Sequence, residues 1–92
     1  MTDLEICRRI AEIEGIHVSN ANAGMYDPIE DKALCFDLME QWIKEFDIDV
    51  HRAYTAHPCT YAVDTGFSVI FNDSVSKALC LARIAIYERW GK

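Results

Sequence analysis

The feature that most constrains the fold is a change in the period of the apolar residues along the chain. In two stretches before residue 47, residues 3 to 14 and Leu34 to Phe46, apolar residues recur at spacings of three and four, which is typical of amphipathic helices. Between Val50 and Asn72, β-branched and aromatic residues are enriched and turn residues interrupt them, which predicts strands. The helical spacing returns from Val75 onwards. This order predicts an α+β fold, in which three helices pack with a small three-stranded antiparallel sheet in the order α-α-β-β-β-α.

The helix boundaries follow from capping residues. The first helix is predicted over residues 3 to 14, with Thr2 as its N-cap and Gly15 in the left-handed position after it. Residues 16 to 18 have the composition of a short strand, and the small residues that follow predict a loop of about eight residues. For the second helix both Asp27 and Asp31 are suitable N-caps, and the sequence leaves the choice open.

The second helix carries the strongest helical signal, because its apolar residues form one broad stripe. Asp37, Glu40 and Lys44 lie opposite the stripe, and Glu45 flanks it. The stripe consists of Leu34, Cys35, Leu38, Met39, Trp42, Ile43 and Phe46.

Three short strands are predicted near residues 50 to 55, 59 to 64 and 67 to 71, joined as an antiparallel meander. Alternate residues of a strand point to the same side of the sheet. We therefore expect one face of the last strand to turn towards the helices. The residues of that face are Phe67, Val69 and Phe71.

The apolar surfaces predict the core. Leu38 and Trp42 of the second helix should pack against that face of the last strand, and against Leu79 and Ala82 of the closing helix. The closing helix is apolar around most of its circumference, which indicates a central position.

Composition favours one domain spanning residues 1–92. Hydrophobic residues make up 51% of the 92-residue chain and charged residues 26%, close to the average for globular proteins. A domain of this size buries a small core, so dimerisation would add stability and a homodimer stays an open alternative. The four cysteines are expected to be reduced, since three of them sit in helical patterns as small apolar residues.

Charge and hydropathy narrow the classes of partner. The chain has 9 Lys and Arg residues against 15 Asp and Glu residues, a net charge of −6. Direct nucleic-acid binding is not expected, because an acidic protein repels phosphate backbones. No apolar run approaches the length of a membrane span and no signal peptide is recognisable, so we expect a cytoplasmic location and no membrane partner.

No motif for catalysis or metal binding stands out. His51, His57 and Cys59 are the only grouped candidates for a soft metal ion, but zinc sites use four ligands and no CxxC or HxxxH pair is present. Cys59 beside His57 is the only combination suited to a thiol nucleophile.

Neither the paired carboxylates nor any glycine-rich, phosphate-binding loop motif predicts an active site. Asp47 with Asp49, and Glu40 with Glu45, fall on polar helix positions or at the helix exit, where solvated carboxylates are typical. No GxxxxGK[ST], GxGxxG or GxSxG motif occurs. We therefore expect no enzyme activity, no catalytic residue, no metal and no cofactor.

The acidic residues and one aromatic residue are the best candidates for binding another protein. Complementary charge raises association rates between proteins, and Tyr26 is predicted to be an exposed aromatic anchor in its loop. The candidate partner-binding residues are Tyr26, Asp27, Asp37, Glu40, Glu45, Asp47 and Asp49.

Two stretches of the chain carry a resemblance to a known family. They are Tyr26-Asp27-Pro28 with Asp31, Ala33, Leu34, Leu38 and Met39, and the run from Ser74 to Ala82. These stretches resemble the small tailed-phage proteins grouped as the phage alpha-beta-alpha sandwich domain family, which has NinX-like proteins as relatives. In that family a tyrosine-to-proline turn opens the middle helix, and an A-(I/L)-C-L-A run lies in the closing helix.

The resemblance implies a phage or prophage accessory protein of the host cell cytoplasm, and it carries over no catalytic residue. By analogy with other small acidic phage proteins, we expect a non-enzymatic protein-binding module. Inhibition of a host defence or host enzyme complex, as by anti-CRISPR proteins, is its more specific form. The alternative is a protein that sequesters a small molecule or nucleotide between the loop around Tyr26 and the sheet.

Overall fold

Four helices and three strands make up the part of the chain that the structure describes. The structure is a computed structural model that describes residues 1–53 and 60–92, with Ala53 described by its backbone alone. The elements are α1 (Asp3–Glu14), α2 (Val18–Asn22), α3 (Lys32–Phe46), β1 (Asp49–Ala53), β2 (Thr60–Asp64), β3 (Val69–Asn72) and α4 (Val75–Trp90). The predicted α+β class and the predicted order of strands and long helices are confirmed.

The long helices begin and end at the residues that their capping chemistry favours. Thr2 and Glu5 form a reciprocal capping box at the start of α1, and Gly15 ends that helix with a φ of 75°. Of the two candidate caps for α3, Asp31 is the N-cap, and its side chain accepts a hydrogen bond of 3.2 Å from the Leu34 amide. Asp27 instead organises the turn before it.

The predicted short strand over residues 16 to 18 is wrong, and so is the loop after it. His17 is the N-cap of α2, because its Nδ1 accepts a hydrogen bond of 3.2 Å from the Ser19 amide. A three-residue strand needs a neighbouring strand to satisfy its backbone, whereas a side-chain cap satisfies the helical turn locally.

The sheet is an antiparallel meander in the order β1-β2-β3, as predicted. Of the three residues predicted to face the helices, Val69 and Phe71 do not, since they are 42% and 57% exposed. Phe67 is partly buried and packs against the core. Phe67 belongs to the bend before β3, so strand alternation starts only at Val69. The inward face is set instead by Ile70, which pairs with the fully buried Val63 of β2.

Helix α4 lies in the middle of the molecule, as its composition predicts. It packs against β2 and β3, and it also packs against α1 and α3. Leu38 and Trp42 are buried in the same cluster as Leu79 and Ala82, which confirms the helical half of the predicted core.

Three cysteines lie in the described residues, and all three are free thiols, as expected. They are Cys7, Cys35 and Cys80. The strand residues predicted at 54, 55 and 59, together with His57 and Cys59, lie outside the described residues. Among residues 1–53 and 60–92, no helix combines the length and apolar character needed to cross a membrane.

Candidate functional site

Tyr26 is not the exposed anchor that the sequence suggests. Its side chain is 8% exposed and belongs to the core cluster, and burial raises the pKa of its hydroxyl to about 12. The amides of Met25 and Tyr26 both donate to the Asn20 carbonyl oxygen, which turns the chain back over the core. Met25 is the residue that faces outward here, at 77% exposure.

The side chain of Asp27 is engaged in hydrogen bonds within the chain. Its Oδ1 accepts hydrogen bonds from the amides of Ile29 and Glu30, at 3.2 and 3.0 Å, and lies 3.4 Å from the Cys7 thiol. Burial and the nearby Asp27 carboxylate raise the pKa of Cys7 to about 11. Asp27 therefore shapes the turn before α3.

Asp37 and Glu40 are brought together on the outside of α3. Both side chains are exposed, and Gln41 and Lys44 lie beside them. Lys44 Nζ lies 3.5 Å from Glu40 Oε1, an exposed ion pair of the kind that contributes little to stability. We call the exposed surface formed by Asp37, Glu40, Gln41 and Lys44 the acidic face of α3.

The other three predicted acidic residues lie apart from this face. Glu45 is exposed but lies about 140° around the helix axis from Glu40. Asp47 ends α3 in the left-handed conformation, and Asp49 in β1 lies 3.8 Å from His51 Nδ1. The pocket on the outside of α3 is lined by Glu40 but not by Glu45, so this predicted carboxylate pair is not brought together there.

An apolar groove lies beside the acidic face, between α3, the turn after Asp27, β2 and the start of α4. Its volume is about 470 Å³. Phe36 stands at its mouth with 59% exposure, and Glu30, Lys32 and Asp73 are charged residues of its lining. The apolar lining includes Ile29, Phe36, Met39, Tyr61, Val75 and Leu79.

The polar groups at the α4 end of the groove are already bonded within the chain. Ser76 Oγ donates to the Ile29 carbonyl oxygen at 2.8 Å, and Ser74 Oγ accepts from the Lys77 amide at 3.3 Å. Asp73 Oδ1 accepts from the Thr60 hydroxyl at 3.2 Å. What remains for a partner is mainly apolar surface and charge.

The described residues offer little for metal or thiol chemistry. No three His, Cys, Asp or Glu side chains among residues 1–53 and 60–92 converge as possible metal ligands. Burial raises the pKa of Cys35, which lines the groove, and that of the more deeply buried Cys80. A raised pKa keeps these thiols protonated near neutral pH, so they are poor nucleophiles.

Sequence reasoning missed Phe36 and Arg83. Phe36 is an aromatic residue outside the apolar stripe of α3, and that mismatch is the signal that could have found it. Arg83 is buried to 4% exposure in α4, with its guanidinium carbon 4.4 Å from the centre of the Phe46 ring. Its Nε and Nη1 have no hydrogen-bond partner among the described residues.

Neither family models, nor curated proteins, nor solved structures give a match for this chain. The acidic face and the groove, with the chemistry of their residues, are therefore the features that indicate a function.

Proposed function

We propose that this protein is a non-enzymatic protein-binding module that docks a basic surface of a partner protein on the acidic face of α3. The observation that carries the proposal is the division of α3 into two sides. Leu38 and Trp42 are buried against the core, while Asp37 and Glu40 are exposed beside the exposed Phe36. An exposed aromatic residue next to acidic residues is typical of an interface with a cationic partner.

The more specific form of the proposal is a phage or prophage accessory protein that inhibits a host defence or host enzyme complex in the host cytoplasm, as anti-CRISPR proteins do. The resemblance to the phage alpha-beta-alpha sandwich family supports it. The net charge of −6 also supports it, because enzymes that bind nucleic acid present basic surfaces to which an acidic protein is complementary.

Affinity capture with matched charge reversals tests the proposal. The immobilised parent protein, Asp37→Lys, Glu40→Lys and Glu88→Lys are each exposed to bacterial lysate. Glu88 is exposed near the end of α4, and its reversal changes the net charge by the same amount. A partner retained by the parent and Glu88→Lys, and lost by the two α3 variants, is the expected result. Equal retention by all four proteins, or retention of no protein, contradicts the proposal.

Sequestration of a small molecule is the second candidate, and the groove is the observation that favours it. The groove joins the turn after Asp27 to Tyr61 of the sheet, and its volume of about 470 Å³ is within the range of ligand pockets. A ligand at a hundredfold excess over its dissociation constant would stabilise the fold by about 2.7 kcal/mol. Thermal-shift screening with nucleotides and other metabolites therefore tests it, and the absence of any shift excludes it.

A further inference from the structure

We propose that the apolar groove beside α3 binds one large apolar side chain of a partner's peptide segment, with Lys or Arg residues flanking that side chain. This inference rests on the proposed function and deepens it, because it names the chemistry of the bound segment. The acidic face then holds the cationic flanks, and the groove holds the apolar anchor.

The mouth of the groove carries exposed apolar surface. Phe36 is 59% exposed, although the opposite side of the same helix buries Leu38 and Trp42. Burial of an aromatic ring is among the strongest contributions that a single residue makes to a protein interface. The groove that it borders continues inward to Leu79, which is fully buried.

The charge around the groove is mainly negative. Glu30 and Asp73 are exposed acidic residues of its lining, and Lys32 is the only basic residue among the lining residues that the structure describes. Asp37 and Glu40 add negative charge within about one helical turn of Phe36. Lys44, which pairs with Glu40, offsets part of this charge. A segment with Lys or Arg residues is complementary to this arrangement, whereas an acidic segment is repelled.

The polar groups of the groove favour a peptide over a small polar metabolite. Small-molecule sites fix their ligands with a few convergent polar groups. In this groove the hydroxyls of Ser74 and Ser76 and one oxygen of Asp73 are engaged by internal hydrogen bonds. An apolar side chain in the groove needs no hydrogen bond from these groups. The attraction between the acidic residues at the rim and a Lys or Arg residue does not depend on a fixed direction.

Selection of short random peptides on the immobilised parent protein tests the inference. Enriched peptides are synthesised, and their dissociation constants are measured with the parent, Phe36→Lys and Phe71→Lys. Phe71 is a matched control because it is 57% exposed on the other face of the sheet. Phe36→Ser repeats the test without an added charge, so a poorly folded lysine variant does not decide the outcome.

We expect the enriched peptides to share a large apolar residue with Lys or Arg neighbours. Phe36→Lys should weaken their binding by about tenfold or more, and Phe71→Lys by less than about twofold. The inference is overturned if no peptide is enriched, if the peptides lack basic residues, or if the two Phe variants behave alike. A dimer of this protein that Phe36→Lys dissociates would also overturn it, since a second copy would then fill the groove.

The same variants separate this inference from the proposed function. If binding of a captured partner protein depends on Asp37 and Glu40 but is unchanged in Phe36→Lys, the groove inference alone fails. If binding depends on none of the three residues, the proposed function fails as well.

Discussion

At the scale of single residues, Trp42 connects α3 to the rest of the molecule. It is 2% exposed, and its indole Nε1 donates a hydrogen bond to Glu14 at the end of α1. Trp42→Ala should lower the free energy of unfolding by about 3 to 5 kcal/mol, as large-to-small changes in aromatic cores do. Asp37→Ala and Glu40→Ala should each change it by less than about 0.5 kcal/mol. Chemical denaturation measures all three variants, and an unchanged midpoint for Trp42→Ala would place the tryptophan on the surface.

Arg83 supplies a second test at this scale. Burial lowers the pKa of its guanidinium, and within residues 1–53 and 60–92 two of its nitrogens find no hydrogen-bond partner. Replacing such a buried charge with an apolar residue of similar length is often neutral or stabilising. Arg83→Met should therefore leave the free energy of unfolding unchanged or raise it by up to about 2 kcal/mol, while Arg83→Ala should lower it through lost packing on Phe46. A clear loss in Arg83→Met would show that Glu14 or Glu45 pairs with the guanidinium.

Residue type alone predicted the candidate site only in part. Asp37 and Glu40 were predicted to lie opposite the apolar stripe of α3, and they do, because helical periodicity fixes both sides of a helix at once. Tyr26 was predicted to be exposed and is buried, since its position depends on how the turn after α2 folds back on the core. No local pattern encodes that tertiary contact.

At the scale of elements, Asp47 at the end of α3 is predicted to make the fold less stable than glycine would at that position. Asp47 is the only residue other than glycine with positive φ in the described chain, at 55°, and its negative charge lies at the negative end of the helix dipole. Asp47→Gly should raise the free energy of unfolding by about 0.5 to 1 kcal/mol. Asp47→Asn removes only the charge, so it measures the effect of the charge on the free energy of unfolding. Asp47→Ala should not raise the free energy of unfolding, because alanine tolerates the left-handed conformation poorly. Thermal denaturation of the three variants measures these differences, and a loss of stability in Asp47→Gly contradicts the reasoning.

The elements with capping residues and long periodic patterns were predictable from the sequence. Helix α1 has the predicted bounds, because Thr2 and Gly15 mark its ends by local chemistry. The inward face of β3 was not predictable, since a period of two fixes which residues share a face but not which face packs on the helices. Val69 and Phe71 share a face, and it is the exposed one. Helix α2 was missed because a histidine cap on five residues leaves almost no periodic signal.

At the scale of the whole molecule, the burial of titratable side chains makes the free energy of unfolding depend on pH in the alkaline range. The fold raises the pKa of Cys7 from 9.0 to about 11 and that of Tyr26 from 10.0 to about 12. Above pH 9 the unfolded chain loses these protons first, so it binds fewer protons than the native chain and stability falls with rising pH. Well below pH 9 these two groups should have no effect, because they stay protonated in both states.

Urea denaturation across the alkaline range measures this dependence. Tyr26→Phe should make the decline shallower. The loss of its hydroxyl should be tolerated, because no hydrogen-bond partner for that hydroxyl lies in the part of the chain that the structure describes. If the parent and the variant decline equally, Tyr26 does not contribute as predicted.

The most direct test of the binding account is the salt dependence of affinity for a captured partner. The dissociation constant is measured at low and at physiological salt for the parent and for the Asp37→Lys/Glu40→Lys double variant. Because exposed charges are screened by salt, the parent should bind more weakly as salt rises. The double variant should bind at least about tenfold more weakly at low salt and should lose most of that salt dependence. Equal affinities and equal salt dependence in the two proteins would show that the acidic face of α3 is not the binding surface.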